Sequence, residues 1–266
     1  MATRIHQVDA FTDTAFRGNP AGVCVLNRAV PEAWMQSVAG EMNLSETAFL
    51  SREESAWRLR WFTPKVEVEL CGHATLASAH VLFETGVEQP EATIRFRTLS
   101  GELRARRNGE RIELDFPRKA IEERAAPPGL IDALGERAVF VGRNDADWLV
   151  ELESEERVRA CAPDFARLKA VKARGVIITA RSRDARFDCV SRFFAPSVGI
   201  DEDPVTGSAH CAIGPYWAAK LERKTLVAYQ ASCRGGVLHL EIRDDRVKIC
   251  GSAVTTLRGE LLVDPA

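Results

Sequence analysis

Nowhere in the chain do 18 apolar residues run together, so no segment has the length to cross a bilayer as a helix. The opening residues MATRIHQVDA hold no apolar core of signal-peptide length. No C-x-x-C pair and no Cys/His grouping of zinc-site spacing occurs, and the seven cysteines are an odd number. They read as reduced thiols in a cytosol, not as a disulfide framework or a zinc fold. Charge of one sign is lacking too: a formal net charge of −2 leaves no electrostatic footprint for nucleic acid or an anionic membrane. H-E-x-x-H, G-x-S-x-G, the G-x-x-x-x-G-K phosphate loop and a G-x-G-x-x-G after a strand are all missing, which argues against metal catalysis, a serine-hydrolase elbow and nucleotide binding. The expectation is a soluble cytoplasmic protein whose partner is a small molecule, with neither nucleic acid nor membrane. At 266 residues and 45% hydrophobic, the chain can bury two cores.

What is present is a duplication. From Arg60 the chain reads RWFTPKVEVE and then LCGHATLASA; from Arg192 it reads RFFAPSVGID and then EDPVTGSAHC. Arg, Phe, Pro and Val coincide at an offset of 132, which becomes 135 at Gly72/Gly207 and Ala74/Ala209. Pro31-Glu32 and Pro163-Asp164, each heading an apolar helical stretch, share the offset of 132. The chain therefore divides into two lobes, residues 1–118 and 119–266.

Periodicity fills in the lobes. The first predicts strands over Ile5–Ala10, Ala21–Leu26, Glu46–Leu50 and Trp57–Thr63, with a helix from Pro31 to about Met42. The stretch 72–85 is apolar nearly all round, so it must be a helix wrapped by other elements. The wrapping strands follow over Thr93–Thr98, Glu102–Arg107 and Arg111–Phe116, the last two joined by the hairpin signal Asn108-Gly109. Lys119–Gly129 reads as a linker. The second lobe predicts strands at Ala138–Val141, Trp148–Leu152, Gly175–Thr179, Phe187–Phe194, Leu226–Tyr229, Val237–Ile242 and Val247–Val254, and a helix from Pro163 to about Lys172. Its buried helix covers 207–221, kinked or split at Gly214-Pro215. A last strand near Leu261 could belong to either lobe. The fold class is α/β (α+β): two pseudo-symmetric lobes, each a curled, mostly antiparallel sheet around a central helix.

A helix N-terminus offers unpaired N–H groups and partial positive charge, so Gly72-His73 and Gly207-Ser208, facing one cleft, would grip an acidic substrate. The glycines could equally serve only tight helix packing. Glu46, where a helix passes into a strand, suits a general base, or is a surface carboxylate bonded by Ser45 or Thr47. Asp203 lies just ahead of the second helix, as a cleft carboxylate or an ordinary helix-entry one. His73 can move a proton near neutral pH, whereas His80, farther along, reads as a satisfied core residue. Ser208 reads as a substrate ligand because no activating base adjoins it. Specificity is expected from loops around Asn19 and Arg143 to Asp147. At equivalent places the lobes carry Cys71 and Thr206.

Four stretches carry a resemblance: HQVDAFTDTAFRGNPAGVCVL from His6, NLSETAFL from Asn43, RWFTP through CGHATL, and DEDPVTGSAH from Asp201. Together they resemble the phenazine biosynthesis PhzF-like family, whose fold is that of diaminopimelate epimerase. The resemblance covers essentially the whole chain. It implies a homodimer without metal or organic cofactor that moves a proton between carbons of a small carboxylic acid, as in isomerisation of trans-2,3-dihydro-3-hydroxyanthranilate. It implies Glu46 as the acid/base, with His73, Asp203 and Ser208 binding and polarising substrate beside Gly72 and Gly207. The epimerases of that fold use a Cys at each central helix; with Thr206 opposite Cys71, a thiol pair is disfavoured. Epimerisation through Cys71 and a non-catalytic small-molecule binder are the two alternatives.

Overall fold

The computed structural model describes residues 3–263, and its strands follow the apolar runs of the sequence. The first stretch of chain forms β1 (Thr3–Ala10), β2 (Asn19–Leu26), α1 (Glu32–Met42), β3 (Glu46–Glu53), β4 (Ala56–Phe62), β5 (Glu67–Val68), α2 (Gly72–Glu84), β6 (Thr93–Thr98), β7 (Gly101–Asn108) and β8 (Arg111–Pro117). There follow β9 (Glu122–Glu123), α3 (Leu130–Leu134), β10 (Ala138–Arg143), β11 (Asp147–Leu152), α4 (Glu155–Ala160), α5 (Phe165–Leu168), β12 (Gly175–Arg181), β13 (Cys189–Ala195), β14 (Ile200–Asp203), α6 (Gly207–Leu221), β15 (Thr225–Gln230), β16 (Gly236–Ile242), β17 (Arg246–Gly251) and β18 (Ala253–Leu261). One unit takes the chain up to Asp115 together with everything from Cys250 onward, and the other takes Phe116–Ile249. The open question of the last strand is thereby answered: β18 pairs antiparallel with β1.

In the first unit the strand order is β18-β1-β2-β3-β4-β6-β7-β8, antiparallel except for β2/β3 and β4/β6. In the second it is β9-β10-β11-β12-β13-β15-β16, antiparallel except for β11/β12 and β13/β15. The same alternation appears twice. Parallel neighbours need a crossover, and in the first unit α1 and α2 supply it between β2 and β3 and between β4 and β6.

The helix α2 is buried from Gly72 through Phe83 except at His80. It packs on β18 and β1 at one end of the sheet order and on β7 near the other, so the sheet curls around it. The outer face of the sheet holds a second core, where Met35 and Ala39 of α1 meet Ile5, Cys24, Phe49 and Phe62. In the second unit α6 is the central helix, with Trp217 Nε1 donating to Thr179 Oγ1 of β12. Its outer face packs Leu130, Val158 and Leu168 of the short helices against Trp148, Val150, Val176 and Phe194.

Two expectations are corrected. Pro215 does not split α6, which runs unbroken from Gly207 to Leu221. The missing Pro215 N–H would leave the carbonyl of Cys211 unpaired, and the backbone N–H of Lys119 takes that carbonyl at 3.0 Å. The helix expected from Pro163 to Lys172 shrinks to α5, because Ala170 and Val171 bond three residues back and tighten the chain out of the helix. Among the described residues, no helix is long and apolar enough to cross a membrane.

Candidate active site

In the first unit, three chain turns bring the site residues together. Asn43 ends α1 in the left-handed region at φ 49°, a conformation asparagine tolerates, and this turn delivers Glu46 to the head of β3. Parallel pairing sets Glu46 opposite Ala21, two residues beyond Asn19, which opens β2. Cys71 stays extended at φ −142° before α2 begins, and His73 is the second residue of that helix.

The His73 ring is the centre of the group. Its Nδ1 lies 3.1 Å from Nδ2 of the fully buried Asn19, and its Nε2 lies 3.1 Å from Glu46 Oε2. The side chains of His73 and Glu46 are only 6% and 13% exposed, so their interaction is poorly screened. The Asn19 side-chain amide on Nδ1 and the Glu46 carboxylate on Nε2 hold the ring between them. Yet the Glu46 contact lies off the hydrogen-bond direction, and Glu46 Oε2 is buried with no donor aligned on it among the described residues. A carboxylate oxygen in that condition is poorly solvated.

Cys71 Sγ stands 3.5 Å from His73 Nδ1 and 3.9 Å from Nε2. Burial, and then the neighbouring Glu46, push its thiol up to about 11, so it is protonated at neutral pH. Burial pulls His73 down, but Cys71 and Glu46 more than reverse this, and the ring holds its proton above the ordinary histidine range. Glu46, Cys71 and His73 bring ligand-type atoms within 4.8 Å of one another. A divalent cation would have to displace the Cys71 proton to use all three.

The second unit builds a different set. Thr206, extended like Cys71, precedes α6, and its hydroxyl donates to Asp203 Oδ2 at 2.5 Å. Gln230 locks this corner: its Oε1 accepts from Thr206 N at 2.8 Å and its Nε2 donates to the Asp203 carbonyl at 2.7 Å. Ser208 accepts a hydrogen bond from Arg174, whose guanidinium also clasps Asp147. His210, one turn into α6, is buried and bonds the Thr206 carbonyl through Nδ1, and burial lowers its pKa to about 4.

The structure thus gathers Asn19, Glu46, Gly72 and His73 in one unit, and Asp203, Gly207 and Ser208 in the other. His80 bonds Thr255 Oγ1, as a structural histidine does. Sequence reading missed Arg174 and Gln230, and named Asp147 only as the end of a loop expected to set specificity. None lies in the repeated motifs, and the one available signal was Arg174 standing beside the glycine that opens a strand.

The family model for phenazine biosynthesis-like proteins, PhzC-PhzF, matches residues 8–259. The chain belongs to this family. An uncharacterized isomerase of Halalkalibacterium halodurans is 53% identical over 264 residues, covering 99% of this chain and 100% of that one. An uncharacterized isomerase of Pseudomonas aeruginosa is 52% identical over 261 residues, covering 98% and 99%. The crystal structure of a PhzF-family phenazine biosynthesis protein from Enterococcus faecalis superposes with a TM-score of 0.95 at 44% identity, covering 99% of this chain and 100% of that one. This PhzF-family chain is accordingly an enzyme of the isomerase class, and its doubled α+β lobes are those of its family.

Proposed function

We propose that the enzyme shifts a proton between carbons of a small carboxylic acid, with Glu46 as the acid/base and trans-2,3-dihydro-3-hydroxyanthranilate as the model for its substrate class. The observation that carries this reading is the buried Glu46 Oε2, held 3.1 Å from a histidine nitrogen and with no donor aligned on it. Glu46 takes a proton from an activated carbon, and the electron pair left behind moves into the adjoining unsaturated system to give an enolate-like anion. Protonated His73 supports the negative charge as it develops, and Asn19 fixes the ring. Delivery of a proton from Glu46 to another carbon closes the cycle, so nothing is oxidised or reduced.

Epimerisation through Cys71 is the weaker reading. The thiol stands beside His73, but a group with a pKa of about 11 is a poor base at neutral pH. The test is incubation in D2O with trans-2,3-dihydro-3-hydroxyanthranilate, following product and deuterium uptake by proton NMR. Conversion that vanishes in Glu46→Gln and persists in Cys71→Ser supports the proposal. Conversion retained in Glu46→Gln, or lost in Cys71→Ser while Glu46→Gln stays active, overturns it.

A further inference from the structure

In the second unit Arg174 is arranged like a tool rather than a strut. Its Nε and Nη2 donate to the two oxygens of Asp147, at 2.9 and 2.5 Å, and Asp147 is fully buried. Its Nη1 donates to Ser208 Oγ at 2.9 Å, and its guanidinium carbon stands 5.4 Å from the centre of the Phe193 ring. Three contacts on three sides fix the plane of the group before any ligand arrives. The Arg174 side chain remains 36% exposed, whereas Asp147 has no exposure at all. The cost of burying a carboxylate falls on the hidden partner, and the accessible one is the cation.

Counting hydrogens shows what is left. A guanidinium has five N–H donors, and these bonds use three, leaving one each on Nη1 and Nη2. Each remaining N–H can donate to a carboxylate oxygen. Ser208 Oγ accepts from Arg174, so its own hydroxyl hydrogen is left to donate. Gly175, next in the chain, permits the arrangement: a Cβ there would lie 2.2 Å from Phe193 Cζ, inside the ring against which the guanidinium rests. Asp203 also lies in the field of Arg174, with Oδ2 occupied by the Thr206 hydroxyl. An anion must therefore be recognised by matched donors, since the surrounding net charge does not attract it.

We infer that Arg174, held by Asp147 and acting with Ser208, is a carboxylate-binding residue that selects and orients small carboxylic acids. This rests on the proposed reading of the substrate class, and it adds the group that reads the acid. The probes are acetate and benzoate, with acetamide and benzamide as neutral controls, titrated into the full-length 15N-labelled protein. The expected result is a saturable shift of the Arg174 Nε and Ser208 amide signals with the acids alone. Affinity should fall at least about tenfold in Arg174→Gln and be partly kept in Arg174→Lys. Since Arg174→Gln strands the Asp147 charge, the Arg174→Gln/Asp147→Asn double variant provides the same test in a chain with no lone buried carboxylate. Glu46→Gln should bind acetate as the wild type does, which separates failure of this inference from failure of the proton-transfer reading. No saturable shift with either acid, equal shifts with the amides, or undiminished affinity in the double variant would overturn it.

Discussion

Strand register lets the two units be compared position by position, and the comparison shows where the duplicate diverged. Thr47 faces Phe62 across β3/β4 and Val176 faces Phe194 across β12/β13, so the counterpart of Glu46 is Gly175. The first unit has a carboxylate where the second has no side chain. One residue earlier, Ser45 corresponds to Arg174. Before the central helices stand Cys71 and Thr206, and after the shared glycine His73 and Ser208. At these matched positions the first unit holds a carboxylate, a thiol and an imidazole, and the second a cation and two hydroxyls, with Asp203 beside them. The same scaffold appears twice, and only one copy carries a carboxylate at the head of this strand.

That asymmetry can be attacked where it matters most. Glu46→Gln should lower turnover by roughly 10²- to 10⁴-fold, the usual contribution of a positioned general base, with the circular dichroism spectrum unchanged. Smaller, but still large, is the expected contrast among thiols. With its pKa pushed to about 11, Cys71 should react with iodoacetamide at pH 7.5 roughly a hundredfold more slowly than an ordinary thiol near 8.5. Peptide mass spectrometry, with the exposed Cys233 as internal reference, reads this directly. Equal labelling of the two would restore Cys71 as a candidate base.

The histidines of the two central helices should titrate in opposite senses. His210 has a folded value of about 4, below the unfolded 6.5, so the unfolded chain takes up the proton first. Its contribution is whole above about pH 6.5 and is lost as pH falls toward 4, on the order of 3 kcal/mol across the window. His73, raised in the fold, contributes below pH 6.5 and loses that contribution as pH rises through its folded value. Urea unfolding from pH 4 to 7 should show the acid loss, and His210→Asn should flatten it. The smallest effect concerns the missing base: Gly175→Ala pushes a methyl into the Phe193 ring and should cost about 1–3 kcal/mol by denaturant midpoint. A neutral Gly175→Ala would mean that the second unit could have carried a side chain there after all.

The doubled plan was legible because its signals are local. Two all-round apolar helices each follow a Gly, and Asn108-Gly109 turns β7 into β8 as its dipeptide predicts. Asn19 was named only for a loop expected to set specificity, while Glu46 and His73 were legible from motif, and the structure sets them 3.1 Å apart. Arg174 was not, because a constant offset of 132 sets Glu46 against Ile178, three residues past its true counterpart. Register is a property of pairing between strands, and one sequence does not display it. Pro215 misled for a related reason: the rule that proline breaks a helix assumes that the freed carbonyl finds no other donor, and here the donor is Lys119, nearly a hundred residues back in the chain.

The return of β18 to β1 bears on how the protein is made. The second unit is one continuous stretch of chain, complete when Ile249 emerges. The first unit begins earlier and finishes later, since its sheet waits for the last strand to be synthesised. At roughly 5–20 residues per second, β1 spends many seconds as a bare sheet edge, open to the wrong neighbour. The half translated first is therefore the half completed last.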